Sequence, residues 1–374
     1  MSQPSDTKGK EPAASASQES SSPPRQSRDN PGETVAHGIL PAEHWAQIAD
    51  GDDDDSDSAL EDPLTSTASI TSSILNYRTI NGRTFHSNQG NAQSWFANDK
   101  SAQESMDITH HAFTLILDGK LHLAPLEGVK LHKVLDVGTG TGAWEIALAL
   151  LIPHFADDHP EAIVIGTDVS PIQPTWVPPN IRFEIEDCTG RWTFEPNSFD
   201  YIHMRFLLGS IGDWNLLMQR AFDACKPGGY IESFEPSSYL ESEDGSVTDT
   251  MAMGQWGKLF IEGGRKMGRS FEVYQQGTVR AALEGAGFVD VHEQDFKVPI
   301  GGWPKDAHQK AIGEFTRIGF LQDPEGYLVF LAHTMGWKRE QTLVFLSHLR
   351  RELRSSKVHA FYRQKVLWAR KPEA

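Results

Sequence analysis

Between residues 133 and 234, short apolar runs alternate with longer stretches in which apolar residues recur at helical spacing. The short runs are typical of strands buried on both faces, and the longer stretches are typical of helices that pack against such strands. Strands separated by helices predict βαβ units and a parallel sheet. The predicted strands are residues 133–137, 161–168, 181–185, 199–204 and 230–234, and the predicted helices are 142–151 and 214–225.

Two further strands, at residues 288–298 and 361–369, bring the predicted sheet to seven strands and follow helices at 248–267 and 276–286. Residues 306–357 lie between these strands and are mostly helical in pattern, so we predict an inserted cap beside the sheet edge where loops determine specificity. Residues 70–130, with a helix at 105–117, form a predicted lid. The whole pattern predicts a doubly wound, Rossmann-like α/β fold.

Residues 1–69 differ in composition from the rest of the chain. Ser, Pro, Gln and Ala dominate, and Trp45 is the one aromatic residue. Residues 1–62 contain 14 acidic and 4 basic side chains, which is −10 of the formal net charge of −17. Such a segment buries too little apolar surface to offset its chain entropy. We therefore predict a disordered acidic tail, with a transient helix near residues 39–48 as the alternative.

The charge balance of the whole chain limits its partners. With 34 basic and 51 acidic residues, direct binding of nucleic acid or of an anionic membrane surface is not expected. The longest apolar stretch, 146–152, is too short to span a bilayer, and the N-terminus has no secretory signal. Cys188 and Cys225 lack the spacing of a disulfide framework or a metal site. These features predict a cytoplasmic protein without a metal, with the nucleus as the alternative location.

A glycine-rich turn, Gly138-Thr139-Gly140-Thr141-Gly142, lies between the first predicted strand and the first predicted helix. Glycines permit positive φ and a close approach of ligand to backbone, and a helix N-terminus offers free N–H groups. The arrangement suits a nucleotide-like cofactor. Gly138, Gly140 and Ala143 also satisfy the dinucleotide fingerprint, so the turn alone leaves a pyrophosphate cofactor open.

Acidic residues lie at the ends of the first three predicted strands. Asp136 stands two positions before Gly138, where a carboxylate would repel a pyrophosphate and attract an ammonium group. Asp168 ends the second strand and can accept both hydroxyls of a ribose. Asp187, beside Cys188, follows the third strand and is placed for an adenine. Each acid alone could be a helix cap or a turn residue, but the three together favour an adenosine cofactor with a cationic end.

The block from residue 134 to 145 resembles motif I of class I methyltransferases, whose sheets end in a reversed hairpin. Further segments, from about residue 70 to the C-terminus, are similar to fungal LaeA-type methyltransferases. Thr84-Phe85 departs from that pattern, which has a basic residue and a tyrosine there. The segments that carry the similarity are Tyr77-Arg78, Asn81-Gly82-Arg83, Asn98-Asp99, Asp107-Ile108-Thr109-His110-His111, residues 117–125, residues 199–205, residues 226–232 and Gly336-Trp337.

The resemblance implies S-adenosylmethionine as cofactor and a small-molecule methyl acceptor from specialised metabolism. The alternative is a nuclear regulator of that metabolism with a velvet-type protein partner. His203, after the fourth strand, is the candidate general base, while His86, His110 and His111 could instead orient the acceptor. The predicted cofactor-binding residues are Asp136, Gly138, Thr139, Gly140, Gly142, Asp168, Val169, Asp187, Cys188 and His203.

Overall fold

The apolar runs form one seven-stranded sheet in the computed structural model, which describes residues 38–47, 74–87, 94–146 and 155–373. The sheet strands are β3 (Lys133–Val137), β4 (Ile163–Asp168), β5 (Ile181–Ile185), β6 (Phe199–Arg205), β7 (Cys225–Pro236), β8 (Val289–Pro299) and β9 (Phe361–Arg370). Their order is β5-β4-β3-β6-β7-β9-β8. Strands β3 to β7 pair in parallel, whereas β9 is antiparallel to both of its neighbours. The predicted doubly wound sheet with a reversed C-terminal strand is confirmed.

A two-stranded hairpin, β1 (Arg78–Ile80) and β2 (Arg83–Phe85), precedes the sheet and was not predicted. Its turn is Asn81-Gly82, and both residues have positive φ, 52° and 84°. This is the backbone that an Asn-Gly hairpin turn requires. The predicted lid is therefore a hairpin followed by a helix.

Helices cover both faces of the sheet, and three of them form the insertion between β8 and β9. None of the described helices is both long enough and apolar enough to cross a membrane. The helices are α1 (Ala42–Gln47), α2 (Lys100–Ile116), α3 (Phe155–Asp158), α4 (Trp214–Ala224), α5 (Ala252–Met267), α6 (Thr278–Ala286), α7 (Ala307–Gln322), α8 (Pro324–Thr334) and α9 (Arg339–Arg354).

Several predicted boundaries differ from the structure: α2 begins at Lys100 rather than at residue 105, and α5 begins at Ala252 rather than at residue 248. The fifth strand begins at Cys225 rather than at residue 230, because Cys225 pairs with Phe199 before a register shift carries the chain to the next pair, Tyr201 and Tyr230. Gly228, with φ of 77°, lies within this irregularity. The predicted helix 142–151 lies mostly outside the described residues. Its first turn is seen in the hydrogen bond from Ile146 N–H to the Gly142 carbonyl, 2.9 Å.

One arginine joins the lid to the insertion. The Arg83 guanidinium, on β2, donates two hydrogen bonds of 2.6 and 2.7 Å to Asp99 and two of 2.7 Å to Asp323. Asp99 is the N-cap of α2, and Asp323 is the N-cap of α8. The Arg83 and Asp323 side chains are largely buried, so each partner left alone would be a costly buried charge. The hairpin, the lid helix and the cap are therefore held as one unit.

Part of the predicted tail belongs to the folded domain. The Trp45 side chain, on α1, is buried and meets the ring of Phe345 on α9 edge to face, with centroids 4.9 Å apart. The Leu40 N–H donates to the Gln255 side chain on α5, 2.9 Å. Residues 38–47 are thus ordered, which corrects the predicted domain start at residue 70. Residues 1–37 and 48–69 lie outside the described residues.

The docking of α1 predicts an effect of Trp45→Ala on stability. Loss of this buried ring should lower the free energy of unfolding by about 2–4 kcal/mol, because it removes apolar contacts and leaves a cavity against α9. Urea denaturation followed by circular dichroism measures the change. The control is Trp176→Ala, since that ring is 82% exposed. Equal effects of the two substitutions would show that docked α1 does not stabilise the domain.

Candidate functional site

A cavity of about 1120 Å³, including its open mouth, lies at the carboxyl ends of β3, β4 and β6. In a doubly wound sheet this edge is where ligands bind. The lid helix α2 and the cap helix α8 contribute the opposite wall. The lining residues are Ser94, Trp95, Phe96, Met106, Thr109, Phe113, Gly138, Thr139, Gly140, Thr141, Ala143, Thr167, Asp168, Val169, Glu186, Cys188, Thr189, Arg205, Phe206, Leu207, Ser210, Ile211 and Tyr327.

The glycine turn forms the floor of this cavity. The N–H groups of Gly138 and Thr139 both donate to the Thr167 carbonyl on β4, at 2.8 and 2.9 Å, which fixes the turn against the neighbouring strand. Gly138 has φ of 76°, and a Cβ there would lie 2.5 Å from the Leu207 side chain. Any other residue type would be strained at this φ and would have to move the Leu207 side chain.

The turn is also tied to the lid. The Thr141 hydroxyl donates to the Asp107 carboxylate on α2 at 2.7 Å, and Met106 lies across from Gly140. A lid helix bonded to the turn in this way covers the cavity and restricts the access of water to it.

Asp168 reaches the cavity from the end of β4, as predicted from its position after an apolar strand. Its two carboxylate oxygens accept the N–H groups of Gly140 and Ser170, each at 2.9 Å. Burial raises the pKa of Asp168 to about 6. The carboxylate is oriented by backbone on both sides and lines the cavity beside Val169.

The loop after β5 contributes Glu186 and Cys188 to the wall, but not Asp187. The Asp187 carboxylate accepts both the N–H and the hydroxyl of Thr189, at 2.9 and 2.6 Å, and so stabilises its own turn. Burial raises the pKa of Cys188 to about 12, so this residue is a thiol at neutral pH. The sequence could not distinguish Glu186 from Asp187, because adjacent residues of a loop have no fixed alternation.

Asp136 and His203 lie behind the wall rather than in it. They are register partners on β3 and β6, and Asp136 Oδ1 lies 2.6 Å from His203 Nδ1. The His203 ring stacks on Trp144 with centroids 4.3 Å apart, and both members of the pair are almost fully buried. Gly142 also lies behind the wall, against Phe183.

The ionisation of this pair follows from its surroundings. Burial acts to raise the pKa of Asp136, but the charge of His203 and its hydrogen bond hold that pKa below the usual value. Burial lowers the pKa of His203, although the Asp136 carboxylate acts in the opposite direction. The His203 ring lies between β6 and Trp144, contacts Asp136 and is not part of the cavity wall.

The other three histidines also lie outside the cavity wall. His86 Nε2 is 2.7 Å from the Arg78 guanidinium, and burial together with that charge lowers the pKa of His86 to about 4. His110 Nδ1 is 3.1 Å from the Arg205 guanidinium. His111 packs against the Phe315 ring, with centroids 4.2 Å apart. All three lie in the lid and contact neighbouring elements.

Arg205 is a wall residue that the sequence analysis missed. It is the one basic residue among the described residues that line the cavity, and its guanidinium lies 5.0 Å from the centroid of the Phe113 ring. Burial lowers its pKa, although an arginine remains charged at neutral pH. Arg205 ends β6 as Asp168 ends β4. A charged residue at the end of a predicted strand was therefore the feature of the sequence that could have indicated it.

A second, apolar space of about 630 Å³, including its open mouth, adjoins the cavity. The two share five wall residues: Trp95, Thr109, Phe113, Phe206 and Tyr327. We call this space the aromatic chamber. Its other wall residues are Ala112, Leu208, Pro236, Ser237, Ser238, Leu240, Trp256, Phe260, Thr316, Phe320 and Tyr362. They come from the lid, α5, the insertion, the segments after β6 and at the end of β7, and β9, which sequence patterns do not place side by side.

A fold of this strand order, with a glycine turn and an acidic residue at the end of the next strand, defines a class I S-adenosylmethionine-dependent methyltransferase. A family model described as "Methyltransferase domain" matches residues 108–293. Methyltransferase pytC of Aspergillus terreus is 33% identical over 320 residues, 85% of this chain and 95% of that protein.

Secondary metabolism regulator LAE1 of Cochliobolus heterostrophus is 33% identical over 282 residues, 74% of this chain and 89% of that protein. Probable methyltransferase tdiE of Emericella nidulans is 30% identical over 272 residues, 72% of this chain and 82% of that protein. The chain belongs to the LaeA-type family of methyltransferases, whose cofactor is S-adenosylmethionine. The resemblance stated from the sequence motifs is confirmed.

Two buried glutamates hold loops around the cavity. Glu235 accepts the N–H groups of Leu207 and Leu208, each at 2.9 Å. Glu232 accepts those of Leu123 and Ala124, at 2.9 and 2.6 Å. Burial raises the pKa of Glu232 to about 7 and that of Glu235 to about 8, from an ordinary value of 4.5.

These raised pKa values predict that stability falls as the pH rises. The folded state binds the protons more tightly than the unfolded state, so the stabilisation is fully present below pH 4.5 and is lost as the pH rises through 8. The loss is on the order of 5 kcal/mol for Glu235. Glu235→Gln keeps the shape without titrating, so its free energy of unfolding should vary less than that of wild type between pH 5 and 9. Exposed Glu127→Gln is the control, and parallel curves for Glu235→Gln and wild type would contradict the assignment.

Proposed function

We propose that this chain transfers a methyl group from S-adenosylmethionine, bound in the cavity, to a small apolar molecule in the aromatic chamber. One observation carries the proposal: the cofactor cavity and the aromatic chamber share a wall of five residues. A donor in the first space and an acceptor in the second would meet at this wall, and positioning of two reactants supplies a large part of the rate in a direct displacement.

The cofactor orientation follows from the charges in the wall. Asp168 would accept the ribose hydroxyls, and Glu186 and Cys188 border the space for the adenine. The methionine end would lie at Gly138, where Arg205 offers a cation to its carboxylate. Asp136, already bonded to His203, would act on the ammonium group as a charge behind the turn and not as a direct ligand.

Methyl transfer from a sulfonium needs little acid–base catalysis by the protein. The lone pair of the acceptor atom forms a bond to the methyl carbon while the electron pair of the carbon–sulfur bond passes to sulfur. The sulfonium becomes the neutral thioether of S-adenosylhomocysteine, and the proton of the acceptor is released to water. The described wall residues include the carboxylates Asp168 and Glu186 but no histidine. The main contribution proposed for this site is the alignment of the two reactants.

The acceptor is proposed to be an intermediate of fungal specialised metabolism. The similarity to methyltransferase pytC, over 95% of that protein, supports a methyltransferase, and the similarity to secondary metabolism regulator LAE1 supports a role in that metabolism. The second candidate is a regulator of that metabolism, for which the motif resemblance implies the nucleus and a velvet-type partner. The aromatic chamber favours the enzyme, because a regulator acting through protein contacts needs no apolar space beside the methyl donor.

A deletion strain separates the two candidates. If the chain is a pathway enzyme, mass spectrometry of culture extracts should show the loss of one methylated compound and the accumulation of its unmethylated precursor. Broad loss of many unrelated metabolites would instead assign the chain to regulation.

The proposed cofactor orientation predicts that two substitutions differ in the ligands whose binding they weaken. Asp168→Ala should weaken binding of S-adenosylhomocysteine and of 5′-methylthioadenosine alike, by about tenfold to a hundredfold, because both ligands carry the ribose. Arg205→Ala should weaken binding of S-adenosylhomocysteine alone, because methylthioadenosine lacks the amino-acid end. Titration calorimetry on the full chain measures all four affinities.

The competing cofactor is tested on the same protein. NAD should not bind, because the negative charges of Asp136 and Asp168 would repel its pyrophosphate. Tight NAD binding, or unchanged affinity of Asp168→Ala for both adenosine ligands, would overturn the proposed site.

A further inference from the structure

A second carboxyl group lies behind the glycine turn. Glu145 follows the turn by three residues, and its side chain is fully buried. Its Oε1 accepts a hydrogen bond of 2.5 Å from the Thr139 hydroxyl, and Thr139 lines the cofactor cavity. Glu145 itself is not among the described residues that line the cavity. It can therefore influence a bound cofactor only through its neighbours.

The sheet places this carboxyl group beside Asp136. Gly166 on β4 is the register partner of Asp136 on β3, so a side chain at position 166 would lie next to Asp136 on the same face of the sheet. A Cβ at Gly166 would collide with Oε1 of Glu145, which shows that the Glu145 carboxyl fills this place. His203 is the register partner of Asp136 on the other side. Across the sheet the order is therefore His203, Asp136 and the Glu145 carboxyl.

The contacts of Glu145 require a proton. Its second oxygen, Oε2, is buried and makes no bond to a donor within the part of the chain that the structure describes. The side chain shares a hydrogen bond with that of Asp136. Two carboxyl groups can share a hydrogen bond only if one of them carries a proton, because an ionised carboxylate only accepts. An ionised Glu145 would leave Oε2 buried without a donor beside a second negative charge, which is costly.

The surroundings of the two acids determine which one keeps the proton. Burial and the charge of Asp136 raise the pKa of Glu145 well above its ordinary value. Burial also acts to raise the pKa of Asp136, but the charge of His203 and its hydrogen bond lower it. Among the described residues, two more charged groups act on Asp136 or respond to it. Arg205 on β6 lowers its pKa further, and Asp168 on β4 has a pKa raised by burial and by the Asp136 charge.

We infer that Glu145 is a positioning residue of the cofactor site, which as a neutral acid donates its proton to Asp136 and accepts the Thr139 hydroxyl. It thereby joins the charge behind the glycine turn to the turn itself. The inference rests on the proposed function, in which Asp136 acts on the ammonium group of the cofactor. With the proton on Glu145, the two acids present one negative charge to that ammonium group instead of two.

The proton is tested first, without a ligand. Protonated carboxylic acids and ionised carboxylates absorb at different infrared frequencies. The difference spectrum between wild type and Glu145→Gln at neutral pH should therefore show the loss of a protonated acid. The control is Glu127→Gln, because Glu127 is exposed and its difference spectrum should show the loss of an ionised carboxylate. Loss of an ionised carboxylate in Glu145→Gln as well would overturn the inference.

The coupling to Asp136 is tested with Asp136→Asn, which keeps the shape and removes the negative charge. Without that charge Glu145 should release its proton more readily, so its acid band should disappear at a pH at least about one unit lower than in wild type. Comparison of Asp136→Asn with the double variant Asp136→Asn/Glu145→Gln identifies the band in this background. An unchanged titration midpoint would show that the two carboxyl groups do not share the proton, contrary to the inference.

The link to the cofactor is tested by titration calorimetry of the full chain with S-adenosylhomocysteine and 5′-methylthioadenosine. Glu145→Met keeps the length of the side chain and removes both of its hydrogen bonds. It should weaken binding of S-adenosylhomocysteine by about tenfold to a hundredfold, and binding of methylthioadenosine by less than about threefold, because that ligand lacks the amino-acid end. Glu145→Gln can donate to Asp136 and accept from Thr139, so it should bind S-adenosylhomocysteine within about threefold of wild type.

The outcomes separate positioning from a general effect on structure. Equal weakening of both ligands in Glu145→Met would assign Glu145 a structural role only and so contradict the inference. The same holds if Glu145→Gln melts at the temperature of wild type yet loses affinity for S-adenosylhomocysteine. If Glu145→Met does not fold, the Gln variant and the infrared spectra still decide. Failure of wild type to bind S-adenosylhomocysteine would overturn the proposed function and the role of Glu145 with it, whereas binding by wild type without the expected selectivity of Glu145→Met would overturn the inference alone.

Discussion

Acidic side chains that accept pairs of backbone N–H groups hold the loops of this fold in place. Where a chain leaves a strand or begins a helix, its N–H groups have no ladder partner, and each one buried without an acceptor is costly. One carboxylate with two oxygens can satisfy two such groups at once. The pairs are Glu232 with Leu123 and Ala124, Glu235 with Leu207 and Leu208, Glu352 with Ala252 and Met253, Asp168 with Gly140 and Ser170, and Asp200 with His132 and Lys133. Much of the floor and rim of the site depends on these contacts.

The cofactor cavity and the aromatic chamber differ in the charge of their walls. Charged groups in the wall lie around the cofactor cavity, which Asp168 and Arg205 line. The aromatic chamber receives its wall from α2, α5 and α7, from the segments at the ends of β6 and β7, and from β9, and these present rings and hydroxyls. The two adjoining spaces therefore offer a polar and an apolar environment. In the proposed function, the cationic sulfonium is converted into a neutral thioether at the wall that they share.

The sheet could be predicted from the sequence because each buried strand is a short apolar run, and β3 and β5 have the predicted bounds. The hairpin of β1 and β2 was missed because three-residue strands are too short to show an alternation. Docking of α1 was missed because a helix of six residues shows no period. Gly138, Gly140 and Asp168 could be placed at one sheet edge from the sequence, because a turn and a strand end are local features. They line the cavity, and their binding of the cofactor stays a prediction. Asp136 and His203 could not be recognised as a buried pair, because register across the sheet joins residues that lie 67 positions apart.

The position of β9 in the sheet determines when the sheet can be completed during synthesis of the chain. Strand β9 lies between β7 and β8 and supplies the hydrogen-bonding partners of both. Until Phe361–Arg370 has been synthesised, β7 has an open edge and β8 has no strand to pair with. A nascent chain that already contains the glycine turn, Asp168 and the whole insertion is therefore still an incomplete sheet. Because the closing element comes last, the final ten residues of this sheet determine when the newly made chain ceases to be a target for aggregation and proteolysis.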